Sequence, residues 1–300
     1  MKRNGVKVRR TYMEVPPMDE RKWAKIPDMP ADVFLADMED SVPPDLKREA
    51  REKVVGLIED PSFFGGREFI CRPNNINTEW GREDLEAIAA AKAPFVMYPK
   101  PRTAAEVREV KRIFDRHGAT PEIMLLVETP ETVLRLEEIA QVPGVCGLMV
   151  GPGDLALETG MSLFDGNEVF TDGFLYARSK TIMVARALKL EAAEGLLVAN
   201  LKDSDLVRRV ATRSALMGFT GNMMFYPPQI ELINECHTPS LERVQWARKA
   251  VEAYDQAVAA GQGAVTVDGR AVTVHQYGEA KEVIRFADAI EGMATVGVGS

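Results

Sequence analysis

The chain alternates between short apolar segments, each long enough for one β-strand, and longer segments in which apolar residues recur at helical spacing. The segments with strand character are Val6–Val15, Asp32–Met38, Glu68–Arg72, Phe95–Pro99, Glu122–Glu128, Val145–Val150, Gly195–Asn200 and Gly218–Phe225. The helical segments between them include Pro44–Ile58, Arg82–Ala91, Thr103–His117, Pro130–Gln141 and Ser204–Met217. Strands that alternate with helices lie parallel in one sheet, because each helix returns the chain to the edge where the next strand starts.

Eight such units within about 240 residues agree in number and length with a TIM (β/α)₈ barrel. A doubly wound open sheet is the alternative architecture, and it usually carries a glycine-rich turn after its first strand. Here the first predicted strand ends in Glu14-Val15-Pro16-Pro17, without a glycine. We therefore predict an α/β fold with a TIM barrel over residues 1–240.

Residues 241–300 do not continue the alternation. Leu241–Ala260 has the pattern of a long helix, and two β-rich runs flank the sequence Asp268-Gly269-Arg270. An Asp-Gly pair between two such runs predicts a β-hairpin. A last helix is expected over Tyr277–Ile290, and the end of the chain, 296–300, is expected to fray. The sequence thus predicts a small helix–hairpin–helix segment after the barrel.

Charge and composition argue against several classes of protein. The formal net charge of −8 argues against a nucleic-acid binder, which needs a basic face. No apolar stretch approaches the roughly 20 residues of a membrane span, and the basic start of the chain is not followed by the apolar run of a signal peptide. The three cysteines, Cys71, Cys146 and Cys236, are odd in number and do not have the spacing of metal ligands. We expect a cytoplasmic protein without nucleic-acid or membrane partners.

Polar and ionisable residues recur where the predicted strands end. They are Asp37, Glu39 and Asp40 after the second strand, Arg72 and Asn74 after the third, Lys100 after the fourth, Glu128 after the fifth, and Asp154 with Gly151 and Gly153 after the sixth. In a TIM barrel the active site lies at the carboxyl ends of the strands. We therefore expect these residues to meet at one face of the barrel.

Two of these carboxylates suggest a metal site. Glu128 and Asp154 end neighbouring strands, so both side chains can reach one ion. Mg²⁺ prefers hard oxygen ligands and usually takes one or two protein carboxylates, and Mn²⁺ accepts similar ligands. Gly153 lets the backbone approach a ligand closely, and Arg72 offers a planar, charged fork that suits a substrate carboxylate. Asp37 or Glu39 can orient water or support the metal ligands. The pattern favours a site for a small hydroxy- or oxo-acid.

Each of these residues also has a purely structural explanation. A glutamate after an apolar strand can be a charge at a helix N-terminus, which the helix dipole favours. Arg72 can belong to a surface ion pair, and Lys100 can support its neighbours without touching a substrate. Asp40 is expected to cap the helix that begins near Pro44. The functional interpretation is favoured because several independent signals converge on one face of the barrel.

The segment after the second predicted strand reads Asp37-Met38-Glu39-Asp40-Ser41-Val42. It resembles the DLEDSV segment of the citrate lyase beta-subunit and malyl-CoA lyase family, part of the HpcH/HpaI aldolase group. Further segments match motifs of that family in the same order: Arg72-Pro73-Asn74, Pro99-Lys100, Leu126-Val127-Glu128-Thr129, Gly153-Asp154-Leu155, Gly218-Phe219-Thr220-Gly221 and Pro227-Pro228-Gln229-Ile230. The resemblance extends over nearly the whole chain.

The resemblance implies a Mg²⁺-dependent carbon–carbon lyase that cleaves a 3-hydroxyacyl-CoA or a hydroxy-oxo acid in an aldol or Claisen reaction. The resemblance places the metal on Glu128 and Asp154 and the substrate carboxylate on Arg72. From these and the strand-end positions we predict that Arg72, Asn74, Lys100 and Gly153 bind the substrate and that Arg72, Asp37 and Glu39 are catalytic. It also implies that the C-terminal segment is a lid that completes a neighbouring subunit's site in a homotrimer or hexamer.

Three positions depart from the family pattern. Thr273 stands where the hairpin of the family often carries an aspartate, and a threonine hydroxyl cannot act as an acid or base near neutral pH. Tyr226 replaces the usual histidine before Pro227, and Thr11–Pro17 differs from the family's opening motif. A CoA-independent aldolase therefore competes with a CoA-dependent lyase. The alternative from another class is a catalytically quiet homologue that binds a dicarboxylate or acyl-CoA as a sensor or complex subunit.

The first testable prediction concerns assembly. We expect the chain to form a homo-oligomer, because closed symmetric assembly is common among such enzymes and the family's lids complete neighbouring sites. Light scattering at micromolar concentration measures the mass directly. A mass equal to that of one chain would contradict the prediction.

Overall fold

Eight parallel strands close into a barrel in the computed structural model, which describes residues 7–294. The strands are β1 Thr11–Val15, β2 Val33–Asp37, β3 Glu68–Arg72, β4 Phe95–Tyr98, β5 Glu122–Val127, β6 Val145–Val150, β7 Glu191–Gly195 and β8 Asn222–Met224. Each strand pairs in parallel with the next, and β8 pairs with β1 to close the ring. The predicted TIM barrel is confirmed. Val6 and the expected frayed end, 296–300, lie outside the described residues.

Helices follow most of the strands and pack against the outer surface of the barrel. The α-helices of this part are α1 Glu20–Trp23, α2 Lys47–Glu59, α3 Gly81–Ala90, α4 Ala104–Arg116, α5 Pro130–Leu134, α6 Leu136–Ala140, α7 Pro152–Thr159, α8 Leu175–Leu188, α9 Ser204–Met217 and α10 Ile230–Cys236. Short 3-10 helices cover Ile26–Asp28, Pro44–Leu46, Pro61–Phe64, Asp172–Phe174 and Pro227–Gln229. None of the helices described is both long enough and apolar enough to cross a bilayer.

The chain divides into two compact units, the barrel at 9–237 and a second unit formed by 238–294 with Lys7 and Val8. The second unit contains α11 Leu241–Ala259, β9 Val265–Val267, β10 Arg270–Val272 and α12 Val274–Ala294. Strands β9 and β10 form the predicted antiparallel hairpin. Asp268 and Gly269 make its turn with φ values of 49° and 77°, as a type I′ turn requires.

The last helix starts at Val274, three residues before the predicted Tyr277, because a capping box begins it. The Thr273 N–H and hydroxyl both contact the Oε1 atom of Gln276, at 3.1 and 2.6 Å. Gln276 thereby caps the backbone at the start of α12. Thr273 therefore has a structural role at the helix N-terminus.

Several sequence predictions were wrong in detail. Strands β1 and β8, at Thr11–Val15 and Asn222–Met224, are shorter than the predicted segments Val6–Val15 and Gly218–Phe225. The strand predicted at Gly195–Asn200 starts four residues earlier and spans Glu191–Gly195. The sequence pattern misplaced it because two glutamates interrupt the apolar run. Glu191 and Glu194 are tolerated there since Arg9 and Arg178 pair with them, at 2.9 and 2.7 Å. The predicted helix Pro130–Gln141 is divided into α5 and α6 at Arg135, whose φ of −108° and ψ of 15° are not helical.

Alternate residues of each strand point into the barrel and form three layers. The middle layer is apolar and consists of Tyr12, Val33, Leu35, Ile70, Phe95, Met97, Met124, Leu126, Met149 and Ala193. Beyond these apolar residues, several of the positions at either end of the barrel are ionisable. At the amino ends of the strands, buried Arg9 pairs with Glu68, Glu122 and Glu191. The same alternation places Glu14, Asp37, Arg72 and Glu128 at the carboxyl ends.

A buried ion pair between helix and barrel yields a prediction about stability. Arg178 of α8 contacts Glu194 of β7 through two hydrogen bonds of 2.7 Å, and both side chains are buried. Because Arg178→Ala leaves a buried carboxylate without its cation, we expect it to lower the free energy of unfolding by about 3–5 kcal/mol. The exposed pair between Arg208 and Glu235, at 3.0 Å, provides the control. Arg208→Ala should cost less than about 1 kcal/mol in urea denaturation. Equal losses in both variants would contradict the prediction.

Candidate active site

Arg72 lies at the centre of the ionisable cluster at the carboxyl ends of the strands. It ends β3 and is only 5% exposed. Its Nε donates to Oδ1 of Asp37 at 2.6 Å and lies 3.5 Å from Oε2 of Glu39, and its Nη2 lies 3.6 Å from Oε1 of Glu14. The structure thus brings together Arg72, Asp37 and Glu39, as predicted from their positions after neighbouring strands.

Asp37 orients the arginine and the loop that follows β2. Its carboxylate accepts the N–H groups of Glu39 and Ser41, each at 2.8 Å, in addition to Nε of Arg72. Burial opposes ionisation, but the charge of Arg72 and these hydrogen bonds outweigh it and lower the pKa of Asp37 to about 2. Asp37 therefore remains a carboxylate at neutral pH.

Glu39 has one engaged oxygen and one unengaged oxygen. Its Oε1 accepts a hydrogen bond from Nζ of Lys100 at 2.9 Å. Its Oε2 is the one buried side-chain oxygen or nitrogen within residues 7–294 that has no hydrogen-bond partner. Burial and the neighbouring Asp40 raise the pKa of Glu39 to about 7, against the charges of Arg72 and Lys100. An unsatisfied buried acceptor is costly, so this oxygen is suited to a donor that a ligand supplies.

Lys100 joins the carboxylates of this cluster. Its Nζ lies 2.9 Å from Glu39 and 3.4 Å from Oδ2 of Asp154, and its backbone N–H donates to Oε1 of Glu128 at 3.0 Å. Its φ of 49° lies in the left-handed region, which is uncommon for a residue with a side chain. Strained backbone of this kind is concentrated at functional sites. Glu128 and Asp154 thus both contact Lys100, as expected of residues that share one site.

Glu128 is almost completely buried, and Asp154 is partly exposed in the first turn of α7. Burial, together with the charge of Glu39, raises the pKa of Glu128 to about 8. A Cβ atom added at Gly151 would lie 2.5 Å from Oε2 and 2.8 Å from Cβ of Glu128, so a larger residue at this position would displace Glu128. A Cβ atom at Gly153 would meet only Leu197, at 3.7 Å, which leaves space beside the predicted substrate position.

Asn74 was predicted to bind substrate, but its side chain forms hydrogen bonds with protein groups outside the carboxylate cluster. Its Nδ2 donates to the carbonyl of Met38 at 2.9 Å and to Oδ2 of Asp84 at 2.6 Å. Its Oδ1 accepts a hydrogen bond from Nζ of Lys47 at 2.8 Å. Both amide hydrogens are therefore used within the protein, and Asn74 supports the loop that carries Glu39.

Sequence reasoning did not identify Glu14 or Lys47. Glu14 follows Tyr12 by two residues, so the alternation of β1 was a signal that could have placed it in the cluster. Lys47 is the first residue of α2, and its spacing does not distinguish it from the exposed lysines. Its burial arises from long-range packing.

The donors present fit a hard divalent cation that keeps most of its ligands from water or substrate. Within the described residues no group of three or more histidine, cysteine, aspartate or glutamate side chains has the arrangement of a complete metal site. Glu128 follows β5 and Asp154 lies in the first turn of α7, which follows the neighbouring strand β6, and both supply carboxylate oxygens. Mg²⁺ commonly binds through one or two protein carboxylates, so this donor set suits it.

Comparison with known proteins finds relatives that match nearly the whole chain. Mitochondrial citramalyl-CoA lyase of Mus musculus is 30% identical to this chain, over 94% of the chain and 87% of the relative. (3S)-malyl-CoA thioesterase of Cereibacter sphaeroides is 31% identical, over 94% of the chain and 95% of the relative.

A solved structure and a family model extend this result. Protein CitE of Mycobacterium tuberculosis, crystallised with magnesium, acetoacetate and coenzyme A, superposes with a TM-score of 0.79 at 26% identity, over 94% of this chain and 98% of that one. Residues 10–227 match the model of the HpcH/HpaI aldolase/citrate lyase family. The chain therefore belongs to the HpcH/HpaI aldolase/citrate lyase family.

Proposed function

We propose that the protein is a Mg²⁺-dependent carbon–carbon lyase that acts on a 3-hydroxyacyl-CoA or a hydroxy-oxo acid. The observation that carries the proposal is the meeting of Glu128, Asp154, Arg72 and the unpartnered oxygen of Glu39 at one end of the barrel. The relatives named as lyases and the neighbour crystallised with magnesium support it.

Glu128 and Asp154 would hold the Mg²⁺, and Mn²⁺ is the alternative ion for the same oxygens. When bound, the ion would supply a Lewis acid that polarises a substrate oxygen. Lys100 lies close to both carboxylates and limits their mutual repulsion. Gly151 keeps the space next to Glu128 open.

Arg72 binds the substrate carboxylate in this proposal. Asp37 holds the guanidinium through Nε, which leaves the terminal nitrogens for the substrate, and Nη2 lies 3.6 Å from Oε1 of Glu14. A guanidinium can bind a carboxylate through two parallel hydrogen bonds, which fixes orientation as well as charge. Because Asp37 stays ionised at neutral pH, it keeps Arg72 in place throughout the reaction.

Glu39 removes the proton of the substrate hydroxyl. Its Oε2 has no donor in the protein, and its pKa of about 7 suits a general base near neutral pH. When the proton moves to Glu39, the oxygen forms the new carbonyl and the adjacent carbon–carbon bond breaks. The electron pair of that bond leaves with the acyl fragment as an enolate, which must then be protonated.

Hydrolysis of the thioester is a second candidate reaction. Thr273 replaces the aspartate of the family's hairpin and contacts Gln276 at 2.6 Å, so it supplies no acid for the enolate. The relative that is 31% identical is named a thioesterase. The two reactions give different products from one substrate.

A product screen distinguishes these reactions. We expect purified protein with Mg²⁺ to convert a malyl- or citramalyl-type CoA thioester, or a free hydroxy-oxo acid, to a 2-oxo acid and a second fragment, and a chelator to stop the reaction. Glu39→Gln should lower kcat about 10²–10⁴-fold, the usual contribution of a general base. Glu131→Gln, at a partly exposed residue paired with Arg102, is the matched control. Free CoA with an intact hydroxy acid would instead identify hydrolysis, and binding without turnover would identify a quiet homologue.

Thermal unfolding tests the metal site separately. We expect Glu128→Gln to stabilise the metal-free protein at pH 9 by up to about 5 kcal/mol, since each pKa unit corresponds to about 1.4 kcal/mol. The pKa of Glu128 is higher in the folded than in the unfolded state, so the folded state binds more protons between about pH 4.3 and 8 and loses stability as the pH rises.

Added Mg²⁺ should raise the midpoint temperature of unfolding of the wild type and of Glu131→Gln, but not that of Glu128→Gln. A Glu128→Gln variant that keeps the Mg²⁺ response would disprove the assignment.

A further inference from the structure

We propose that Lys47 is a positioning residue: it fixes the position of Glu39 through hydrogen bonds to the backbone of residues 38 and 39. The proposal rests on the proposed function, in which Glu39 is the base. Lys47 is 5% exposed and is the first residue of α2. A buried lysine that is not itself in the carboxylate cluster requires an explanation, because burying an ammonium is costly.

The three hydrogen bonds of the Lys47 ammonium define its role. Its Nζ donates to the carbonyl oxygens of Met38 and Glu39, at 2.9 and 2.6 Å, and to Oδ1 of Asn74 at 2.8 Å. An ammonium has three donors, so all of them are used. Two of the three acceptors are backbone carbonyls in the segment that contains Glu39, whose Oε2 has no hydrogen-bond partner.

Asn74 and Asp84 connect this segment to the loop after β3. Asp84 is completely buried and accepts the backbone N–H of Asn74 at 3.0 Å and its Nδ2 at 2.6 Å. Arg51 of α2 donates to the other oxygen of Asp84 at 2.7 Å. Lys47 and Asn74 therefore tie the loop with Glu39 to the loop that follows Arg72.

This link fixes the distance on which the proposed chemistry depends. Oε2 of Glu39 lies 3.5 Å from Nε of Arg72, so base and carboxylate-binding group are close without a hydrogen bond between them. If the carbonyl of Glu39 moves, its side chain moves with it. A displacement of about 1 Å at a reacting group can cost about 100-fold in rate.

A double-mutant cycle tests whether Lys47 acts through Glu39. The variants are Lys47→Met, Glu39→Gln and the double variant, measured with the substrate that the wild type turns over. We expect Lys47→Met to lower kcat about 10–100-fold with little change in KM. In the Glu39→Gln background it should cost less than about 3-fold, because residues that act through one another are not additive. Additive losses, or wild-type kcat in Lys47→Met, would overturn the proposal.

Lys53→Met is the matched control on the same helix. Lys53 pairs with the exposed Glu20 at 2.9 Å, and its removal should change kcat by less than about 2-fold. If Lys47→Met does not fold, Asn74→Ala removes one acceptor of Lys47 and one donor to Met38, and the same non-additivity with Glu39→Gln is expected.

Hydrogen exchange gives a readout that does not depend on turnover. The N–H groups of Glu39 and Ser41 donate to Asp37, so their exchange reports the placement of this loop. We expect Lys47→Met to accelerate exchange over residues 38–41 at least about 10-fold while the rest of α2 stays protected, and Lys53→Met to leave it unchanged. Unchanged exchange over residues 38–41 in Lys47→Met would overturn the proposal. If the loop loosens but no carbon–carbon cleavage occurs in the wild type, the proposed function fails and the positioning role stands.

Discussion

The barrel has a closed interior, so every ionisable side chain that points inward must find a partner within the protein. Strand alternation places Glu68 and Arg72, or Glu122 and Glu128, on the same inner face with apolar residues between them. At the amino ends, one arginine satisfies three glutamates. At the carboxyl ends the charges are only partly balanced. The ionisable side chains therefore neutralise one another at the amino ends of the strands, whereas at the carboxyl ends they leave groups that can react with a ligand.

At the carboxyl ends of the strands, two cationic side chains lie among several carboxylates and hold the cluster together. Arg72 contacts Asp37, Glu39 and Glu14, and Lys100 contacts Glu39 and Asp154. Burial and mutual repulsion raise the pKa values of Glu39 and Glu128 to about 7 and about 8. Such a site lowers stability in the absence of a ligand, and a bound cation relieves part of that cost. Stability and chemistry are therefore coupled through the same few carboxylates.

The network behind the site explains how so many charges stay in fixed positions. Lys47, Asn74 and Asp84 hold the backbone of the loops after β2 and β3 through buried hydrogen bonds. Side chains that contact a substrate need rotamers locked by such support. The chain belongs to the HpcH/HpaI aldolase/citrate lyase family, and Thr273 precedes the first residue of a helix where the resemblance expects an aspartate.

The sequence by itself determined the barrel and the identity of most of the clustered residues, because apolar strands alternate with helices and the ionisable residues follow the strand ends. It misplaced β7, since Glu191 and Glu194 break the apolar pattern and their partners, Arg9 and Arg178, are distant in sequence. Only the tertiary structure decided that Lys47 is buried, that Asn74 faces away from the cluster, and that one oxygen of Glu39 has no partner. These properties depend on which residues, distant in sequence, surround a side chain, and the spacing of residues along the chain does not show this.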